Sequence, residues 1–244
     1  MKKLTIGLLE CDHVRAELRP VHGDYRDMFP KLFGPDLISF RFYDVINDRF
    51  PENPSECDGY ICTGSSFSVY DDVPWIHRLS AFVRTLREDK IPYVGVCFGH
   101  QMLGFALGGI VHRADAGWCV GVHTFTVLSR ESWMQPEKGT VSLLMMCQDQ
   151  VISLPEGGVR LASAPGCPNA MIGVGETMIG IQAHPEFTRE YDQALMEIRE
   201  ERIGSEKVKA AIESLRQTTD ESAAARWIVN FFSNLQQRNQ ICHQ

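Results

Sequence analysis

The stretch that decides the fold is Gly95-Val96-Cys97-Phe98-Gly99-His100-Gln101-Met102-Leu103, which directly follows the apolar run Ile91-Pro92-Tyr93-Val94. This pattern predicts a strand that turns sharply into a helix, with Cys97 at the bend. Glycines two residues before and two after Cys97 let the strand and helix backbones approach closely. The first turn of the helix directs unpaired N–H groups toward the sulfur, which favours the thiolate. We therefore predict a reactive cysteine, the alternative being the inert packing role that most free cysteines have.

A second segment, Gln182-Ala183-His184-Pro185-Glu186-Phe187, follows the strand-like run Met178-Ile179-Gly180-Ile181. A residue before proline favours extended geometry, so His184 should continue the strand direction. In an extended segment, side chains two residues apart face the same way, which puts His184 and Glu186 on one side. The glutamate can then hold one ring nitrogen while the other faces the Cys97 thiol. This is the arrangement of a catalytic triad with cysteine as its nucleophile.

Together with the loop Thr63-Gly64-Ser65-Ser66-Phe67-Ser68-Val69-Tyr70-Asp71, these two segments resemble the class I (triad-type) glutamine amidotransferases. The resemblance covers residues 1–190, and it is greatest to a stand-alone amidotransferase of the GMP synthase type. It implies hydrolysis of the glutamine side-chain amide through a γ-glutamyl thioester, with the ammonia passed to a synthetase subunit. By the same resemblance, Cys97 is the nucleophile, His184 the general base and acid, and Glu186 the group that orients the histidine.

The resemblance also implies an oxyanion hole made by the backbone N–H of Phe98 and one N–H from the turn at Gly64 and Ser65. Attack on an amide creates a tetrahedral oxyanion, which preorganised backbone donors stabilise. Many family members have two glycines where this chain has Gly64 and Ser65, so the sequence leaves open which N–H serves. Gln101 either contacts the bound amide or is structural.

Cys147 and the pair Asp12-His13 each have two possible roles. Many relatives carry a histidine close to Cys147, and we expect this cysteine to be packing rather than part of the substrate pocket. Asp12 and His13 end the first strand, where a solvated loop is favoured over a lining role in a cleft.

Short apolar runs alternate with amphipathic stretches, which predicts an α/β fold with a doubly wound, flavodoxin-like, mostly parallel sheet flanked by helices. We assign residues 1–190 to the catalytic domain and residues 191–244 to a helical extension packed on the same domain. A partner-docking surface is the alternative for the last helix, where Asp220 is a candidate cap. The predicted strands are Leu4–Leu9, Leu37–Tyr43, Tyr60–Cys62, Ile91–Val96, Val120–Leu128, Val151–Leu154, Val159–Ala162 and Met171–Val174. The predicted helices are Asp24–Leu32, Trp75–Glu88, His100–Leu107, Glu190–Ile203, Glu206–Leu215 and Glu221–Gln237.

The composition of the chain argues against several kinds of partner and cofactor. The 244 residues carry a net charge of −7 with no cluster of Lys and Arg, which argues against nucleic acid or an anionic membrane as the main partner. Eight cysteines without a C-x-x-C motif suit reduced thiols in a cytoplasmic protein. We read the N-terminal apolar run as a first strand rather than a signal peptide. Neither a phosphate-binding loop nor metal-ligand histidine spacing is present in the sequence, so we expect no metal and no cofactor, and any ATP-using acceptor domain on another chain.

Three other functions are compatible with parts of this sequence. A γ-glutamyl peptidase would use the same triad on a γ-glutamyl peptide or a glutathione-like conjugate. An α/β-hydrolase would place its acid between nucleophile and histidine, for which Asp149 is the candidate. A non-enzymatic binding or regulatory module is disfavoured by the intact set of Cys97, His184 and Glu186. Glutamine or a γ-glutamyl small molecule is therefore the expected ligand.

Overall fold

A computed structural model describes residues 3–241 of the chain. Its strands are β1 (Leu4–Glu10), β2 (Ile38–Asp44), β3 (Gly59–Cys62), β4 (Tyr93–Val96), β5 (Ile110–Arg113), β6 (Cys119–Val127), β7 (Thr140–Cys147), β8 (Asp149–Ser153), β9 (Gly158–Ala164), β10 (Cys167–Val174) and β11 (Met178–Ile181). Its helices are α1 (Arg19–His22), α2 (Tyr25–Phe33), α3 (Pro74–Glu88), α4 (Phe98–Ala106), α5 (Arg189–Ile198), α6 (Glu200–Ile203), α7 (Ser205–Ser214) and α8 (Glu221–Ile241).

The main sheet has nine strands in the order β2-β1-β3-β4-β11-β10-β9-β6-β7, and β5 pairs with β8 in a small separate ladder. The five strands from β2 to β11 run parallel, in an order that begins 2-1-3 as in flavodoxin-like sheets. The remaining strands continue the sheet through antiparallel pairings. The predicted α/β fold is confirmed. Because β3, β4 and β11 are neighbours, their carboxyl ends meet at one edge of the sheet.

Hydrophobic clusters lie on both faces of the sheet, as the doubly wound architecture requires. One face carries α3 and α4, with Leu79 and Met102 fully buried. The other carries α2 and α8, with Phe29 and Phe232 fully buried. Complete burial of each such side chain contributes roughly 1.5–3 kcal/mol of transfer free energy. Helices on both faces hold the parallel strands rigid, so the strand ends form a stable platform.

The structure differs from the prediction in three places. Strands β5 and β7 were not predicted. The helix expected over Glu190–Ile203 is broken at Arg199, which ends α5 and precedes α6. The side chain of Asp220 does not cap α8 in the way expected: its carboxylate accepts a hydrogen bond from the backbone N–H of Ser142 and pairs with Lys138.

The C-terminal helices pack on the sheet. Phe232 of α8 lies so close to β3 that a Cβ added to Gly59 would be 2.6 Å from its Cε1 atom. Trp227 is fully buried and donates a hydrogen bond from its indole N–H to the carbonyl of Pro136. The division into residues 1–190 and 191–244 remains our interpretation, and residues 242–244 lie outside the described part. No helix within residues 3–241 is long and apolar enough to cross a membrane.

Candidate active site

The sharp turn between β4 and α4 is present, and Cys97 lies at its apex. Cys97 has φ 51° and ψ −100°, a conformation that costs a non-glycine residue about 1–3 kcal/mol. A Cβ on Gly95 would lie 2.2 Å from the carbonyl oxygen of Gly99, and a Cβ on Gly99 would lie 2.4 Å from that of Cys62. The backbone N–H of Cys97 donates to the carbonyl of Ile181, 2.9 Å away. The two glycines are therefore required by close packing, and the end of β11 fixes the strained residue.

His184 and Glu186 lie beyond β11, next to this turn. The Nδ1 atom of His184 is 2.7 Å from Oε1 of Glu186, and both side chains are buried. The backbone N–H of His184 donates to the carbonyl of Leu144 in β7. Phe187 stacks on the imidazole with ring centroids 3.9 Å apart and an angle of 11° between the planes. The ring is thus held at its edge by a carboxylate and on one face by an aromatic side chain.

The electrostatics of His184 follow from this burial and from its two charged neighbours. Burial opposes the protonated imidazole, but the negative charges of Cys97 and Glu186 outweigh it and raise the pKa of His184 to about 10. At neutral pH the histidine is therefore an imidazolium beside the cysteine sulfur. An imidazolium next to a cysteine sulfur is the pairing that cysteine hydrolases use.

The turn after β3 closes the Cε1 edge of the imidazole. A Cβ added to Gly64 would lie 2.8 Å from Cε1 of His184. The hydroxyl of Thr63 accepts a hydrogen bond from the N–H of Cys11 and donates one to the carbonyl of Gly64. Asp12 accepts a 2.7 Å hydrogen bond from the N–H of Ser66. These contacts fix the turn against the imidazole of His184.

Two cavities meet at Cys97. The smaller cavity, about 80 Å³, is lined on its far side by Gln101, Asp149 and Trp118. The larger cavity, about 350 Å³, contains His184 in its wall, together with Phe187 and Tyr191. Both include Ser65, Ser66, Met146, Arg199 and Arg202 in their walls. The sulfur is therefore accessible from two sides, and only one of these includes the histidine.

The family of this chain is decided by comparison with known proteins. The model of the class I glutamine amidotransferases matches residues 43–199, which contain Cys97, His184 and Glu186. The chain belongs to this family.

The similar proteins include γ-glutamyl peptidases and glutamine-hydrolysing synthases. The chain is 29% identical over 197 residues to gamma-glutamyl peptidase 3 of Arabidopsis thaliana, which covers 78% of each chain. It is 31% identical over 141 residues to the glutamine-hydrolysing GMP synthase of Porphyromonas gingivalis, covering 57% of this chain and 27% of that protein. A glutamine amidotransferase structure from Thermotoga maritima superposes with a TM-score of 0.73 at 18% identity, over 96% of this chain and 98% of that one. The last likeness establishes the fold alone.

A network of side-chain amides lies next to Cys97. The Nε2 atom of Gln182 is 3.6 Å from the Sγ atom of Cys97, in hydrogen-bond contact. Gln101 donates from its amide to the backbone carbonyl of Asp149 at 2.6 Å and to Oε1 of Gln182 at 3.4 Å. Gln101 thus lines the smaller cavity, but its amide hydrogen bonds position Gln182. Sequence reasoning missed Gln182, although it lies only two residues before His184.

The structure also shows where Asp149, Cys147 and the pair Asp12-His13 lie. Asp149 is not beside His184: its carboxylate accepts a 2.5 Å hydrogen bond from the Ser68 hydroxyl, in the wall of the smaller cavity. Cys147 is buried but also lines that cavity, so the expectation of packing alone was wrong. Asp12 and His13 line the larger cavity instead of forming a solvated loop. His13 lies between two carboxylates, 3.1 Å from Asp24 and 3.3 Å from Asp44.

Within residues 3–241, no three His, Cys, Asp or Glu side chains are grouped so that they could hold a metal ion. His100, the histidine nearest to Cys97 in sequence, is fully buried, and this burial lowers its pKa to about 4. It is neutral at physiological pH and lines neither cavity at Cys97. Of these two histidines, His184 is the one that lines a cavity at Cys97.

Proposed function

We propose that this family member hydrolyses γ-glutamyl amides through a thioester on Cys97, and that γ-glutamyl peptides are better substrates than free glutamine. The observation that carries this proposal is the larger cavity on the His184 side of the sulfur. The departing amine must receive its proton from the histidine, so it leaves on the side where the histidine lies. Ammonia needs little space there, whereas the amine part of a peptide would occupy a cavity of this size.

In the first step, the Cys97 thiolate attacks the γ-carbonyl carbon of a substrate whose glutamyl part lies in the smaller cavity. The C=O electron pair moves to oxygen, and the resulting oxyanion accepts hydrogen bonds from the N–H of Phe98 and from the turn at Gly64 and Ser65. Phe98 begins α4, so its N–H has no acceptor within the helix. His184 then gives its proton to the amide nitrogen, the C–N bond breaks, and the neutral amine leaves through the larger cavity.

In the second step, the now neutral His184 removes a proton from water, and the hydroxide attacks the thioester carbonyl. The C–S bond breaks, glutamate is released, and the Cys97 thiolate is restored beside the imidazolium. Glu186 stays ionised throughout and keeps Nδ1 of His184 as the hydrogen-bond donor, so that Nε2 carries the exchanged proton. The net reaction consumes one water and yields glutamate and the free amine.

The choice of peptide over glutamine is also supported by the relative named gamma-glutamyl peptidase, which matches 78% of the chain. The second candidate is a glutamine amidotransferase that passes ammonia to a synthetase subunit. The match to a glutamine-hydrolysing GMP synthase, at 31% identity, favours this candidate. The two functions share Cys97, His184 and Glu186 and differ in the amine that leaves.

The test compares kcat/KM of the purified chain for glutamine and for γ-glutamyl dipeptides, with Cys97→Ala as the inactive control. We expect the dipeptides to exceed glutamine by at least about tenfold, because binding energy from the remote part of the substrate can lower the barrier. Preference for glutamine, with acceleration by a synthetase partner, would instead establish the amidotransferase. Turnover that survives Cys97→Ala would reject both.

A further inference from the structure

Two arginines form part of the wall that the two cavities share. Arg199 and Arg202 line both cavities, one helical turn apart at the break between α5 and α6. Within residues 3–241, neither is among the arginines that pair with a carboxylate within 4 Å. The guanidinium of Arg202 lies 5.6 Å from the centroid of the Trp118 ring, which fixes its position at the wall.

Arg199 is the more enclosed of the two. Burial lowers the pKa of Arg199, while Tyr25 and Tyr191 act in the opposite direction. Arg199 lines the same two cavities as Cys97. A guanidinium withdrawn from water loses hydration that only an anion or several acceptors can replace. Within residues 3–241, no carboxylate lies within 4 Å of the half-buried Arg199 guanidinium, which faces the two cavities.

The nearby carboxylates do not fill this role. Asp12 accepts hydrogen bonds from the N–H groups of His13 and Ser66. Asp149 is bonded to the Ser68 hydroxyl. Asp192 is fully buried, and neither of its carboxyl oxygens has a hydrogen-bond partner. Burial raises its pKa to about 7, so it is partly protonated at neutral pH.

We infer that Arg199 and Arg202 bind a free carboxylate on the amine part of the substrate. This inference rests on the proposed function and narrows its substrate class to γ-glutamyl amino acids and short γ-glutamyl peptides with an ionised C-terminus near the scissile bond. Guanidinium groups bind carboxylates through paired, charge-assisted hydrogen bonds. Arg113 lines the smaller cavity only, and we assign it to the α-carboxylate of the glutamyl part.

The test uses two substrates that differ in a single charge, γ-glutamylglycine and γ-glutamylglycinamide. The measured quantity is the ratio of their kcat/KM values, acid to amide. We expect a ratio of about 10 to 100 for the wild-type chain, the worth of one charged hydrogen-bonded contact. Arg199→Gln and Arg202→Gln should each bring the ratio toward 1. Arg216→Gln is the matched control, since Arg216 is exposed, pairs with Glu213 and lines neither cavity.

Each outcome decides the inference. Equal kcat/KM for the two substrates in the wild-type chain would overturn it, and so would an equal loss on both substrates in the arginine variants, which would place these arginines on the glutamyl carboxylate. If neither substrate is turned over, the proposed function fails, and calorimetry of both compounds with Cys97→Ala then decides the carboxylate site by the ratio of Kd values. Arg202→Gln, which alters an exposed side chain, keeps the test decisive if Arg199→Gln does not fold.

Discussion

Gly64→Ala tests whether the position of the catalytic imidazole limits the reaction. The added Cβ would lie 2.8 Å from Cε1 of His184, about 0.6 Å inside the 3.4 Å at which ordinary van der Waals contact begins. The imidazole cannot retreat freely, because Phe187 stacks on it with centroids 3.9 Å apart and Glu186 holds Nδ1 at 2.7 Å. Either the ring or the turn must therefore shift by several tenths of an ångström.

A misplacement of about 1 Å in an active site can cost about 100-fold in rate, so we expect Gly64→Ala to lower kcat/KM by about 10- to 100-fold. The backbone N–H at position 64 is kept, and the φ angle there is one that alanine adopts without strain. The loss should thus come from displaced groups rather than a missing donor or an unfavourable backbone. The midpoint of thermal unfolding should therefore shift little, even though kcat/KM falls.

The assay is the rate of Cys97 acylation in a single turnover with a chromogenic γ-glutamyl anilide, measured beside the thermal midpoint. Gly139→Ala is the matched control, because a Cβ there meets no atom within 4 Å. Acylation at the wild-type rate in Gly64→Ala would refute the reasoning that this turn and the imidazole are in fixed contact.

Three further predictions concern the same site. Cys97 should be the first cysteine alkylated by a glutamine-shaped electrophile, and peptide mapping that finds another cysteine modified earlier would contradict its assignment as nucleophile. The raised pKa of His184, about 10, stabilises the fold fully below the unfolded value near 6.5, and this stabilisation is lost as pH rises toward 10. Cys97→Ala removes the main charge that raises this pKa, so NMR titration should show a lower value, and an unchanged one would argue against the ion pair. Burial raises the pKa of Asp192 from 3.8 to about 7, so stability should fall by on the order of 4 kcal/mol as pH rises through that interval. Asp192→Asn should remove this difference in urea unfolding at pH 4.5 and pH 7.5, and its persistence would assign it to another group.

The sequence predicted the parts of the site that depend on local geometry. The glycines that flank Cys97 restrict the backbone within a few residues, so the turn at Cys97 could be predicted without the rest of the fold. The extended segment expected from His184 to Glu186 was wrong: Pro185 and Glu186 form a turn, in which the N–H of Phe187 donates to the carbonyl of His184, and this turn brings the Glu186 carboxylate to the imidazole.

The remaining parts depend on contacts distant in sequence. Strand β7 contains the unbroken apolar run Leu143-Leu144-Met145-Met146-Cys147, which has no alternation to separate a strand from a buried helix. Arg199 lies in what sequence pattern treats as one continuous helix, and nothing local indicates the break. Asp12 is an ordinary loop residue until β1 and β3 pair and bring it to Ser66.

The break at Arg199 separates two requirements that a hydrolase must meet. Under the proposed function, the reacting groups follow strand ends whose spacing is set by backbone hydrogen bonds, whereas the arginines are carried by short helices joined at a non-helical residue. An insertion, deletion or substitution at that joint would move the guanidinium groups while leaving Cys97, His184 and Glu186 where they are. Descendants of such a chain could therefore exchange one leaving amine for another through changes at the joint alone, and the bond-breaking chemistry would be inherited intact.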